Sequence, residues 1–506
     1  MILSRNRAIN TYFDKECMIR FADPNQDGEI ITFYSYKGGT GRSIALANCA
    51  GLMATCWPEQ AKPMLLIDFD LEAPGLHQYL KDFLPSDAKN PLQQGTLELF
   101  TSLSQKVELL LREAKAETND KLRLSDQECD NLIQDFDFKP YLVPVSYEKS
   151  TSASTSEKCW LIQAGMFDSE YGQKLAKMNW QQLFDSAPGI FRSLASYWKS
   201  QYACILIDSR TGLSDSSSIC STLLPDVLTV VFTPNRQSLA GITHVTEFAK
   251  NYRQRSADLR PLRVYPLASR IEQNSEDYRN VWRYGAENHH VFGKVEGYQP
   301  LFEELLQPAG EEEQVCTTSA QEGMLDNYFA QVFVPHSPDY AFGERLCFVS
   351  SAARDRYSLR QAYETFLPWL VTGAEPWQYP ADKLSALKLA NLLQQLAPPE
   401  LELSWLDNWL RDGEHIQQQE PLAKIDNWLS SFKDGKTVKQ IKAMEASLRL
   451  EPVNEELLSI LPNLVVLLAL HKLQSQRWKE LQQLLSEAEE LLGGYGLNAS
   501  FENAAT

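Results

Sequence analysis

The chain has no C-x-x-C pair among its nine cysteines, and none of its seven histidines stands with cysteines at zinc-ligand spacing. An odd cysteine count without paired spacing argues against a disulfide framework and for a reducing, cytoplasmic setting, and the missing pairs exclude a zinc-ribbon or zinc-finger type of site. Long apolar runs are missing too. The longest, Leu464–Leu470, falls far short of the ~20 residues a membrane helix needs, so no membrane segment is expected. The N-terminal stretch MILSRNRAINTYFDKEC lacks the unbroken apolar core of a signal peptide. Positive charge is in short supply: 48 Lys and Arg against 66 Asp and Glu leave a net charge of −18. Nucleic-acid binders draw much of their affinity from a basic face. Here only Arg253, Arg255, Arg260 and Arg263 cluster, which reads as a solvated surface, so nucleic acid is not an expected partner.

What remains is the composition of an ordinary globular protein, 43% hydrophobic and 23% charged, with 506 residues sufficient for two or three domains. Residues 29–56, EIITFYSYKGGTGRSIALANCAGLMATC, place a β-branched and aromatic run before a glycine-rich turn and an alanine/leucine-rich helix. In a strand–loop–helix of this kind, backbone N–H groups wrap a polyphosphate at the helix N-terminus. Gly38, Gly39 and Gly41 allow the close approach and the unusual dihedrals, Thr40 and Ile44 flank them, and Ser43 stands where a hydroxyl ligates the Mg²⁺ of a bound nucleotide.

Further near-continuous apolar runs at Met64–Asp68, Cys204–Asp208, Val227–Thr233, Leu262–Leu267 and Gln331–Val334 read as buried parallel strands, and Trp160–Gly165 as a candidate seventh. Helical stretches between them predict an α/β fold with a doubly wound, mostly parallel sheet. Two of these strands end in acid. Met64–Asp68 runs into Asp68-Phe69-Asp70, and Cys204–Asp208 into Asp208-Ser209-Arg210-Thr211-Gly212, which sets carboxylates at the carboxyl edge of the sheet where α/β ligand sites lie. His289-His290 carries no ligand pattern and reads as surface, and Glu311-Glu312-Glu313 as a solvated loop. After about residue 374 strand signals stop and leucine, glutamine and glutamate recur at helical spacing, which predicts an all-α C-terminal domain. Its segment Ala446–Asn454 resembles the end of a tetratricopeptide hairpin; a generic helical bundle is the other reading.

The ordinary phosphate-loop pattern, G-x-x-x-x-G-K-[ST], would put glycine at position 36 and lysine at 42, whereas this chain has Tyr36 and Arg42 and an extra lysine, Lys37. That arrangement resembles the deviant Walker A loop, K-G-G-x-G-K-[ST], of the ParA/MinD family of P-loop ATPases, and its arginine resembles a variant subgroup whose loop reads KGGVGR. The resemblance spans roughly residues 29–370. With it the chain reads as a helical extension over 1–28, the ATPase domain over 29–373 with insertions near 100–158 and 273–330, and, beyond the resemblance, a helical appendage over 374–506.

The resemblance further implies ATP and Mg²⁺ as ligands, with Lys37 reaching into the nucleotide of a second copy and Arg42 taking the in-cis role of the missing lysine. Asp70 would orient the attacking water, and Asp68 would serve in the metal shell or organise its loop. Asp208 would hold Mg²⁺ with Ser43. Pro234 and Asn235 match the strand-to-loop segment after Walker B and would belong to the nucleotide site, and Arg270 ends the segment Pro266–Arg270 at the place where the family contacts the adenine base. Arg210 is either a transition-state cation or a partner of Asp70 or Asp208. Two functions follow from the resemblance: an ATP-hydrolysing switch that forms a homodimer with nucleotide and controls a protein partner docked on the C-terminal helices, or a weakly catalytic nucleotide-sensing scaffold in a bacterial defence complex.

Overall fold

Strand β1 (Glu29–Tyr34) is buried along its whole length, as are β2 (Met64–Asp68), β5 (Cys204–Asp208) and β6 (Val227–Phe232), all four free of the polar alternation that a half-solvated strand would show. The computed structural model describes residues 13–85, 93–118, 123–147, 158–255, 261–306, 323–340, 342–349, 358–381 and 383–384. With β3 (Val143–Pro144), β4 (Cys159–Ile162), β7 (Arg263–Ile271) and β10 (Phe333–Pro335), the four strands form an eight-stranded sheet in the order β10-β7-β6-β1-β5-β2-β4-β3. Every pairing in it is parallel except that of β3 with β4.

From β1 the chain steps outward to β2 and β4, returns to β5 beside β1, and then crosses to β6 and β7 on the other side. The order of strands therefore reverses around β1, and a crevice opens at the carboxyl ends of β1, β5 and β6. Helices cover both faces. The helices Arg42–Thr55, Leu76–Leu80 and Leu359–Thr372 pack together in one layer. In the other, helices Thr96–Thr118, Trp180–Ser186, Ile190–Gln201 and Arg236–Arg255 join through the π-turn Ile219–Leu223. Ile30, Leu65, Ile67, Ile205 and Ile207 face this second layer and meet Phe100, Leu194, Trp198 and Cys220 in one core.

The expected strands are all present, and β7 runs on to Ile271, so that Arg270 is part of the strand. Two insertions carry structure that the sequence did not announce: β3, and within residues 273–330 an antiparallel hairpin of β8 (Ala286–His289) and β9 (Gly293–Val295). Of the basic cluster, Arg255 is exposed as expected and Arg260 lies outside the described residues, but Arg253 and Arg263 are not simply solvated. Arg253 is buried and its Nε donates to the Thr222 carbonyl at 2.9 Å, while Arg263 pairs with the buried Glu29, which also holds Arg20 at 3.0 Å. His289 is likewise drawn in, its Nε2 lying 3.1 Å from Asp277 Oδ2 and its ring stacked on Phe292 at 5.1 Å.

The chain divides into two units, residues 1–381 and 382–506. Of the second, only Lys383 and Leu384 belong to the described residues, so most of the expected all-α domain and the tetratricopeptide resemblance lie outside them, as does the acidic run at 311–313 in the first unit. No helix among the described residues is long and apolar enough to cross a membrane.

Candidate functional site

The turn after β1 delivers the chain to the helix Arg42–Thr55 with Gly39 at φ +74° and Gly41 at φ +93°, a region where side chains are strained. Gly41 caps that helix without any side-chain hydrogen bond, and no acidic residue stands in the first turn. The first backbone N–H groups of a 14-residue helix are thus left for a ligand, and the helix dipole favours an anion there. A Cβ built on Gly38 or Gly39 would meet no atom within 4 Å, so the groove over them is open. The turn is anchored from β7, where Ser269 Oγ donates to the Thr40 carbonyl at 2.7 Å. Tyr36 packs its ring where Gly241 lacks a Cβ, and the Tyr34 hydroxyl donates to the Gly212 carbonyl at 3.1 Å, which ties β1 to the segment after β5. Lys37 is exposed and has no ion pair or hydrogen bond among the described residues.

Arg42 does not follow the loop. Its side chain is buried, with Nε donating to Asp208 Oδ1 at 2.5 Å and Nη2 to Asp70 Oδ2 at 2.8 Å. Without a ligand the side chain forks across two carboxylates, a geometry suited to a planar guanidinium with several fixed donors. Burial works against the charge of Arg42, yet Asp208 and then Asp70 hold it protonated beyond even its ordinary range. Nη1 of Arg42 and Oδ2 of Asp208 are both buried without a hydrogen-bond partner. Leaving such a group unpaired costs about 1–3 kcal/mol or more, so each has unused capacity for a further hydrogen bond.

Asp68 is also fully buried, and its two oxygens accept the backbone N–H groups of Asp70 at 3.1 Å and Leu76 at 3.2 Å. These bonds brace the loop that follows β2. Burial, then the neighbouring Asp208 and Asp70, push its carboxyl well above the usual range. Burial pushes the Asp208 carboxyl above its usual range, an effect that Arg42 and then Ser43 counter, and its unpartnered Oδ2 together with the Ser43 hydroxyl suits a hydrated Mg²⁺. Among the described residues no cluster of three His, Cys, Asp or Glu could hold a metal alone, so phosphate oxygens would have to complete such a shell.

Arg210 pairs with neither Asp70 nor Asp208. Its Nη1 lies 2.7 Å from Glu72 Oε1, with both side chains about one-third exposed. Arg210→Ala is expected to change unfolding free energy by less than about 1 kcal/mol, read from urea denaturation, because exposed pairs are solvent-screened.

Pro234 and Arg270 come together on the wall of a cavity of about 390 Å³ at the ends of β6 and β7, whereas Asn235 is not part of it. Asn235 instead caps the helix Arg236–Arg255, its Oδ1 accepting from the Ser238 N–H at 3.0 Å. Arg270, at φ +56°, is the one non-glycine residue with positive φ among the described residues, and its guanidinium has no partner there. Such strain collects at ligand sites. The wall also carries aromatic rings, Tyr278, Trp282, Phe292 and Tyr298 from the 273–330 insertion among them, beside charged and polar groups such as Glu272, Arg279 and Arg283. Sequence reasoning passed over these residues, although Tyr278 and Trp282 stand four apart, on one face of the helix Glu276–Tyr284.

No protein-family model and no curated protein matches the chain. Among solved structures it is similar to the septum site-determining protein MinD of Pyrococcus horikoshii OT3 complexed with Mg-ADP, at 15% identity over 68% of this chain and 96% of that one, with a TM-score of 0.34. It is also similar to the MinD cell division protein of Aquifex aeolicus (15% identity, 70% and 100% covered, TM-score 0.36) and to a ParA family ATPase from Chlorobium tepidum TLS (14%, 68% and 97%, 0.34). Likeness at this level leaves the fold to be read from the sheet itself and the chemistry from the loop.

Proposed function

We propose that the turn Lys37–Ser43 closes around the phosphates of ATP and that the chain hydrolyses it slowly, as a cytoplasmic switch. One observation carries this reading. Two positive-φ glycines deliver a buried parallel strand to an uncapped helix N-terminus at the point where strand order reverses, with open space above them. The residues divide the work between them. Backbone N–H groups of Gly38 to Ile44 hold the phosphates, and the Pro234–Arg270 cavity takes the base between aromatic walls. Ser43 and Asp208 hold Mg²⁺, which when bound offsets charge on the phosphate oxygens. Asp70 positions the attacking water. Lys37, exposed and unpaired among the described residues, suits a reach into the nucleotide of a second copy, and the leucine- and glutamine-rich C-terminal sequence suits a protein partner in a bacterial multi-component system.

Calorimetric titration with ATP and magnesium tests the reading directly; no heat of binding would defeat it. Asp70→Ala is expected to slow steady-state phosphate release about 100-fold, equivalent to ~2.7 kcal/mol of transition-state stabilisation. The second reading, a nucleotide-sensing scaffold with almost no turnover, is favoured by the commitment of Arg42 to Asp70 and Asp208. Equal background rates for the wild type and Asp70→Ala would decide for it.

A further inference from the structure

We propose that Arg42 is a positioning residue that locks Asp70 in the nucleotide-free protein and hands it over when phosphate arrives. The inference rests on the nucleotide-site reading above and deepens it. Arg42 opens the helix whose N-terminus the phosphates would face, so its side chain starts within the same site. Two of its three nitrogens are committed to carboxylates, and the third, Nη1, is buried with nothing to donate to. One guanidinium serves two acids, Asp70 and Asp208, with Asp68 buried next to them, and a polyphosphate brings further negative charge into the site.

Of the two arms on Arg42, the one to Asp208 is shorter, at 2.5 Å, and its carboxylate is fully buried. The arm to Asp70 is 2.8 Å, and that carboxylate is the more exposed of the two. An incoming phosphate oxygen satisfies the bare nitrogen and displaces the weaker arm, while Asp208 keeps its hold. Asp70 then becomes free to position water only when nucleotide is in place. The guanidinium thus ties occupancy to the readiness of the carboxylate, and a lysine, as a single point charge, cannot span both partners.

A four-protein cycle tests this: wild type, Asp70→Asn, Arg42→Lys and the double variant, each titrated calorimetrically with ATP and magnesium after thermal melts have shown it folded. In the arginine background, Asp70→Asn removes the competitor for Arg42 and is expected to tighten ATP binding about tenfold, or ~1.4 kcal/mol. In the lysine background the same change is expected to tighten it less than about twofold, since no fork is released. Equal gains in both backgrounds would mean that Asp70→Asn acts only by removing a negative charge, and would overturn the lock. An unchanged affinity in the arginine background would overturn it as well. If none of the four proteins binds ATP, the nucleotide-site reading itself falls, and the lock with it.

Discussion

Arg42→Met is expected to lower the unfolding free energy of the ligand-free protein by about 3–5 kcal/mol, the cost of leaving buried charge without its partner. The reason lies in the arithmetic of the site. Arg42 is the cation in contact with both Asp70 and Asp208, and Asp68 is buried beside them. Methionine matches the stem but leaves two carboxylates facing each other in a low-dielectric pocket, where they must take up protons or draw in water. Arg42→Lys keeps one charge and should lose less. Urea denaturation of the three proteins, followed by tryptophan fluorescence, checks the order. A methionine variant as stable as the wild type would show that the acids are solvated after all and that the fork is ornamental.

The second large effect is on binding. Gly39→Val is expected to weaken ATP affinity at least about 100-fold, or ~2.8 kcal/mol. Two causes add. Gly39 sits at φ +74°, a conformation that costs an L-residue about 1–2 kcal/mol and a β-branched one more, so valine shifts the turn away from its phosphate-ready shape. Its side chain also projects into the open space over Gly38 and Gly39, where phosphate oxygens would lie. Because no protein atom lies within 4 Å of that Cβ, the fold should survive the change apart from the strain, and melting curves would confirm it. A valine variant that binds ATP like the wild type would move the phosphates elsewhere and remove the basis of the functional reading.

The strands of the sheet were legible because β1, β2, β5 and β6 are buried on both faces and need unbroken apolar runs, a pattern written locally. The hairpin β8–β9 was not, because its strands are short and half-exposed, so neither alternation nor a long apolar run marks them. The cavity shows the same limit from another side. Pro234 and Arg270 were singled out by position, but Tyr278, Trp282, Phe292 and Tyr298 meet them only after the insertion folds back over the ends of β6 and β7.

The amino-acid sequence alone determined the glycine turn, the strand and helix on either side of it, and the acids at the ends of β2 and β5. These are local matters of dihedral freedom, β-branching and apolar runs, and neighbours in the chain suffice to state them. Only tertiary structure decided which acid each arginine meets. Arg42 reaches Asp70 across 28 positions and Asp208 across 166, and Arg210 turns to Glu72 instead of either. Nothing in local patterning ranks such partners. The choice is made by where the strand ends stand in the sheet, and by the requirement that a buried charge find whichever opposite charge the packing has brought within reach.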